Sequence, residues 1–189
     1  RAAAERLDAP VVTTYKGKGT LPETHPLSAG VLCGGSSAEL RALLADADRG
    51  LVVGSDLDAV ATASWSVSLP ETLVHVTLGG DDIGFGYETD LGIVADADRF
   101  LRRLGDRLAE GPIGDGAADE SARPSQQSAG AARAEAVRSA DRERFAAVAD
   151  DGSPADPLRS VEVLREVREA LPPETVVTAD AGGFRLWTL

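Results

Sequence analysis

The segment APVVTTYKGKGTLPETHPLSAG, residues 9–30, changes character halfway through. Its opening, APVVTTY (9–15), is a short β-branched run bounded by Pro10 and Gly17, which reads as a buried strand. The remainder is loop chemistry. It carries Lys16 and Lys18, the two lysines of the chain, with Gly17 and Gly19 around the second, then Pro22 and a His25-Pro26 pair.

Working outward, the same strand-then-helix alternation recurs. RAAAERLDAP before the strand is the end of an amphipathic helix. After the loop, Ser36 and Glu39 form a capping box that predicts a helix near 37–47, with Leu40, Leu43 and Leu44 on one face. GLVVGSD (50–56), ETLVHVTL (71–78) and LGIVAD (91–96) read as further strands, with a short helical stretch, LDAVATASW, between the first two. DADRFLRRLGDRLAE closes the series as an amphipathic helix that turns Phe100, Leu101, Leu104 and Leu108 inward. Strands apolar throughout and alternating with helices imply a parallel sheet covered on both faces. Residues 1–110 are therefore expected to form an α/β, doubly wound, Rossmann-like domain. Its opening helix has no strand before it, so the first βα unit is expected to have lost its strand and one sheet edge to lie open.

Beyond this domain the composition shifts. Residues 111–156 are rich in Gly, Ala, Ser, Pro and acids and read as a partly disordered linker, with one helix-like stretch, AARAEAVRSADRERFAAVAD. Residues 157–189 then begin a second α/β domain. SVEVLREVREAL places Val161, Leu164, Val167 and Leu171 on one helical face, and TVVTAD reads as a strand that stays out of the first sheet. The chain begins with Arg1 and is expected to be a fragment.

The charge of −12 argues against nucleic-acid binding, which needs a basic stripe, and fits a solvated acidic coat of the kind found in salt-adapted proteins. No apolar run approaches the roughly 20 residues of a membrane span. Cys33 is a lone cysteine, so neither a disulfide framework nor a cysteine metal cluster is available, and a cytoplasmic setting is the simplest.

Motifs for catalysis are sparse. Three glycine pairs, at 17/19, 84/86 and 114/116, fail the dinucleotide pattern, because none opens a helix directly after a strand. His25 and His75 lack a second nitrogen or sulfur ligand at metal spacing and are read as structural. No serine stands in a nucleophile elbow. Spacing alone assigns no catalytic residue and no metal ligand.

The order of the pieces carries more. YKGKGTLPETHPLSAG, GLVVGSDLDAV, LVHVTLGGDDIGFGY and DLGIVADADRFLRRL, in that order, resemble the central domain of thiamine-diphosphate enzymes related to acetolactate synthase. PPETVVTADAGGFRLW, across the linker, is similar to the opening of that family's C-terminal diphosphate-binding domain. The resemblance implies a parent enzyme that uses thiamine diphosphate and Mg²⁺ on a small-molecule 2-oxo acid, as a carboligase or decarboxylase and as a homodimer or homotetramer. The family's catalytic glutamate lies in an N-terminal domain, and its magnesium motif is a GDG followed by an asparagine pair. This chain has no asparagine, and its GDG at 114–116 falls in the linker, so the fragment itself is expected to be inactive.

Two groups of residues match cofactor-facing positions of the family. Gly182, Gly183, Phe184 and Arg185 stand in the turn that faces the diphosphate. Lys16, Gly17, Lys18 and Gly19 stand in a loop near the interdomain crevice, with a solvated turn as the alternative. Where the flavin-holding subgroup shows GARFDDR, this chain has Gly54-Ser55-Asp56-Leu57-Asp58-Ala59-Val60, so FAD is not expected. The competing reading is a nonenzymatic α/β binding or scaffold module.

Overall fold

The structure is a computed structural model that describes residues 1–111, 128–149, 160–172 and 174–178. The chain divides into two units, Arg1–Arg138 and Ser139–Leu189. In the first unit the elements run α1 (Ala2–Leu7), β1 (Val11–Thr14), β2 (Ser28–Leu32), α2 (Ala38–Ala45), β3 (Arg49–Val53), β4 (Thr72–Thr77), β5 (Leu91–Val94) and α3 (Ala97–Ala109). α4 (Ala129–Ala149) crosses the boundary between units, and α5 (Ser160–Ala170) lies in the second.

Every described strand pair is parallel, as the apolar strand pattern requires of an α/β fold. The strands form two sheets rather than one. β1 pairs with β2, and β4 lies between β3 and β5. The expected open edge is thus not at the end of a single sheet; the break falls between β1 and β3. β2 itself has no counterpart among the expected strands. SAGVL has one β-branched residue and a glycine at φ 99°, so its local preference for strand is weak, and pairing to β1 from Val11↔Ser28 to Thr14↔Leu32 holds it.

Two local readings shift. The α2 cap is Ser37, whose hydroxyl accepts from the Leu40 N–H at 3.3 Å. Ser36 is occupied one step earlier, accepting from the Cys33 N–H at 2.8 Å and donating to the Val31 carbonyl at 3.1 Å, so it closes the turn after β2. The stretch LDAVATASW is a series of turns, not a helix, with Ala63, Ser64 and Trp65 all left-handed. Each such residue costs on the order of 1 kcal/mol. Buried Thr62 holds them, donating to the Asp58 carbonyl at 2.8 Å and accepting from the Trp65 N–H at 3.1 Å.

The main core cluster is Leu32, Leu40, Val67 and Val137, with Val12, Leu43, Leu44 and Leu69 packed around it. Val137 comes from the stretch read as linker. The first unit therefore reaches Arg138 rather than ending at 110, and the α4 segment up to that residue is part of its fold. Gly130, Ala134 and Val137, spaced as one helical stripe, are buried. Their small size matters: a Cβ on Gly130 would sit 2.1 Å from the Asp8 carbonyl oxygen. Asp8, the left-handed cap of α1, takes up the start of α4, accepting from the Ser128 hydroxyl and from the Gly130 N–H at 3.1 Å. Eight residues beyond Gly130, the Arg138 guanidinium donates to the carbonyls of His25, Pro26 and Ser28 and pairs with Glu135.

In the second unit, α5 buries Val161 while Val163 and Val167 stay exposed. Residues 175–178, expected to begin a strand, carry no strand pairing, and Val176 and Val177 are exposed. The GDG at 114–116 lies outside the described residues.

Candidate functional site

Parallel strands deliver their functional residues at their carboxyl ends, which places the candidate site where β1 and β3 stop. Just past β1, Tyr15 and Lys16 leave the strand; past β3, a left-handed Gly54 turns the chain into Ser55, Asp56 and Asp58. The two ends meet. The Tyr15 hydroxyl donates to Asp58 Oδ2 at 2.8 Å, and Lys16 Nζ lies 3.0 Å from the same oxygen and 3.6 Å from Asp56 Oδ2. The other Asp58 oxygen accepts from the Ala61 N–H at 2.7 Å, fixing the carboxylate in its turn.

These contacts set the protonation states. Partial burial pushes Asp58 up, but the Ala61 N–H, the Lys16 ammonium and the Tyr15 hydroxyl outweigh it and hold the carboxyl down to about 2. The hydrogen bond to Asp58, helped by the charge of Asp56, raises Lys16 above the ordinary lysine range. Tyr15 is raised by the same carboxylate. The cluster is thus two carboxylates around one ammonium, with a net negative charge.

Of the loop residues singled out from sequence, only Lys16 enters this cluster. Lys18 pairs with Glu23 instead. Gly17 and Gly19 shape the turn between them: the Gly17 N–H returns to the Thr14 carbonyl at 2.8 Å, and Gly19 sits at φ 87°. Gly182, Gly183, Phe184 and Arg185 lie outside the described residues. His25 contacts Glu5 through Nε2 at 3.1 Å and accepts from the Leu27 N–H through Nδ1, which ties α1 to the loop. His75, 2% exposed within β4, uses Nε2 to bind the Ser55 carbonyl at 2.7 Å and so anchors the turn that bears Asp56 and Asp58. Both histidines hold structure together. In the sequence Asp56 and Asp58 stand out only as departures from a flavin motif; their pairing with Lys16 and Tyr15 has no signal short of placing β1 and β3 side by side.

At the same end of the molecule, Trp65 and Phe85 stack edge to face with centroids 5.9 Å apart. Trp65 lies so close over Gly86 that a Cβ there would be 2.1 Å from the indole nitrogen. Among the described residues no three His, Cys, Asp or Glu side chains are grouped to hold a metal ion, and no helix is long and apolar enough to cross a membrane.

Comparison with known proteins gives this geometry a family. The chain is 34% identical over 113 residues to a sulfoacetaldehyde acetyltransferase of Rhodobacter capsulatus, covering 57% of this chain and 19% of that protein. It is 30% identical over 102 residues to a probable acetolactate synthase large subunit of Methanocaldococcus jannaschii, covering 53% and 17%. An acetolactate synthase large subunit of Parasynechococcus marenigrum aligns over 189 residues at 26% identity, covering 99% of this chain and 28% of the relative. The chain thus spans less than a third of the length of these three relatives. The model of the thiamine pyrophosphate enzyme central domain matches residues 1–104, more than half of the sequence, and the chain belongs to the thiamine pyrophosphate enzyme family.

Proposed function

We propose that this chain is the central part of a thiamine-diphosphate-dependent enzyme that acts on a 2-oxo acid, as an acetolactate synthase-like carboligase or decarboxylase, and that residues 157–189 begin its diphosphate-binding domain. The cofactor's contribution in such an enzyme is to hold the carbanion left by decarboxylation. The observation that carries the reading of this part is the Lys16–Asp58–Tyr15 cluster. It ties two strand ends together and offers no grouped metal ligands and a negative balance of charge, so the described residues do not furnish a site for a diphosphate with its magnesium. Their work is to position. The turns after β1 and β3 are braced against each other, and His75 braces the second from below.

The same cluster disfavours flavin. A dinucleotide pyrophosphate brought to these strand ends would face Asp56 and Asp58, with Lys16 already held by both. The relatives' names extend to a sulfonated aldehyde as well as acetolactate; the acetolactate synthases among them favour the 2-oxo acid reading.

The purified 189-residue chain, supplied with thiamine diphosphate, Mg²⁺ and pyruvate, is expected to release no CO₂ above the protein-free rate. Release that scales with protein concentration would overturn the positioning role. Titration of FAD against the chain is expected to leave flavin fluorescence unchanged, and saturable quenching would restore a flavin site.

A further inference from the structure

The segments that follow β3 and β4 carry two aromatic side chains that stay open to solvent. Phe85 is 74% exposed and Trp65 41%, and their rings meet edge to face at an interplanar angle of 65°, so together they make an open corner. Trp65 is held there against its backbone preference. It is the last of three consecutive left-handed residues, at φ 52°, 57° and 60°, a conformation disfavoured for any residue with a Cβ. Exposed rings recover little of that cost by burial. What the arrangement achieves is position, because it lays the indole over Gly86 and beside Phe85. Strained backbone held in place in this way is characteristic of ligand sites.

A narrow cleft runs beside the corner, lined by Asp56, His75, Asp82, Gly84 and Gly86. Its ionisable groups offer acceptors. Buried His75 has Nε2 2.7 Å from the Ser55 carbonyl, and since a carbonyl only accepts, Nε2 carries the proton and Nδ1 keeps a lone pair. Among the described residues nothing donates to that lone pair. Asp82 accepts from the Thr77 hydroxyl at 3.5 Å and has no cation against it among the described residues. The neighbouring cations are committed elsewhere: Lys16 lies closer to Asp58 than to Asp56, and Arg41 donates to the carbonyls of Gly34 and Ser36.

We propose that the Trp65–Phe85 corner and the Asp56–His75–Asp82 cleft form a site for an organic cation with N–H donors, a guanidinium or a primary ammonium. Ring faces, carboxylates and an imidazole lone pair all present negative potential, so an anion is repelled. A neutral apolar group would leave the acceptors unmet. A cation within about 6 Å of the Phe85 ring centroid gains from its face while its N–H groups turn to the carboxylates. The narrowness of the cleft favours the flat guanidinium, with its head at the opening. Among the described residues no three ligating side chains converge, so a metal ion is not the cation. The inference does not rest on the family reading, and either can fail alone.

The test is a titration of the ¹⁵N-labelled 189-residue chain at low ionic strength, following the Trp65 indole and the Gly84 and Gly86 amides by NMR. The probes are acetyl-Gly-Arg-Gly-amide, its neutral citrulline counterpart and ethylguanidinium. The arginine peptide should give saturable shifts that the citrulline peptide does not. Equal or non-saturating shifts from the two peptides would overturn the proposal. Asp82→Asn should weaken arginine-peptide binding by about 3-fold or more, and Phe85→Leu by about 3-fold, with unchanged β4 amides showing that each variant is folded. Binding unaltered in both variants would also overturn it. Tighter binding of the peptide than of ethylguanidinium supports the site with a partner's arginine as its source, and equal binding supports it with a free small cation.

Discussion

The β1–β2 half and the β3–β4–β5 half of the first unit are built from similar apolar strands, yet they end in opposite conditions. In the first, β2 is covered. α2 and the α4 segment close over it, and Val137 at 2% exposure and Ala134 at 0% fill the space while Asp8 and Arg138 take up the polar ends. The second is open at its carboxyl end, where Leu78 is 72% exposed and Phe85 74%. The difference does not lie in the strands. It lies in whether a distant part of the chain returns to cover them, and a helix more than 100 residues from β1 does so for one half only.

The comparison can be broken most forcefully at Val137. Val137→Asp places a carboxylate in a closed apolar site and is expected to cost more than about 3 kcal/mol, enough to detach the α4 segment. Urea unfolding that keeps its midpoint would show that this cover is not part of the fold. Next comes Arg138→Ala, which leaves the His25, Pro26 and Ser28 carbonyls without their charged donor and should cost roughly 2 kcal/mol. The same urea experiment checks it, with Arg138→Lys expected to recover only part of the loss because it lacks the planar fork.

A smaller effect belongs to Asp58, where the two halves touch. Its carboxyl is lower in the folded chain than its ordinary 3.8, so its contribution is complete above that value and disappears as pH falls through about 2. Discounted for partial exposure, it amounts to roughly 1 kcal/mol. Asp58→Asn should therefore lower stability at neutral pH and reduce the loss between about pH 4 and 2. Parallel acid curves for the two proteins would argue against the cluster. The smallest effect is expected on the open half. Leu78→Ser should change stability by less than about 0.5 kcal/mol, since the side chain has little burial to lose. A large loss there would mean that this surface is covered in solution.

Legibility depends on where each signal resides. β1, β3, β4 and β5 are marked by runs of β-branched residues, and α3 by its apolar stripe and its Asp96 cap, which accepts from the Arg99 N–H at 2.9 Å. These signals are local and strong. β2 escapes because SAGVL is small and glycine-bearing, so pairing rather than propensity makes it a strand. The α2 cap moves one residue because Ser36 and Ser37 are chemically alike, and only the turn after β2 distinguishes them. LDAVATASW has helix-forming composition, but Thr62 bonds locally to the backbone and turns it elsewhere.

The site is less legible than the fold. Lys16 stands out as a scarce cation and does enter the strand-end cluster, but its partners, Asp56 and Asp58, lie far along the chain and read, in sequence, as carboxylates without a role. The α4 segment shows the same limit. Its Ala-rich composition reads as linker, and nothing nearby reveals that Asp8 would cap its start or that three carbonyls would await Arg138.

The sequence by itself determined the α/β alternation and the parallel direction of the strands, because both rest on patterns carried within short segments, and membership of the thiamine pyrophosphate enzyme family, because the order of those segments along residues 1–104 is itself a pattern. Tertiary structure alone decided that the strands form two sheets, that part of the apparent linker belongs to the core, and that Lys16 is neutralised by Asp56 and Asp58. Those outcomes depend on free energies shared between distant segments: a backbone edge takes whichever strand is present, an apolar face takes whichever helix reaches it, and a charge takes whichever counter-charge the fold brings within hydrogen-bonding distance.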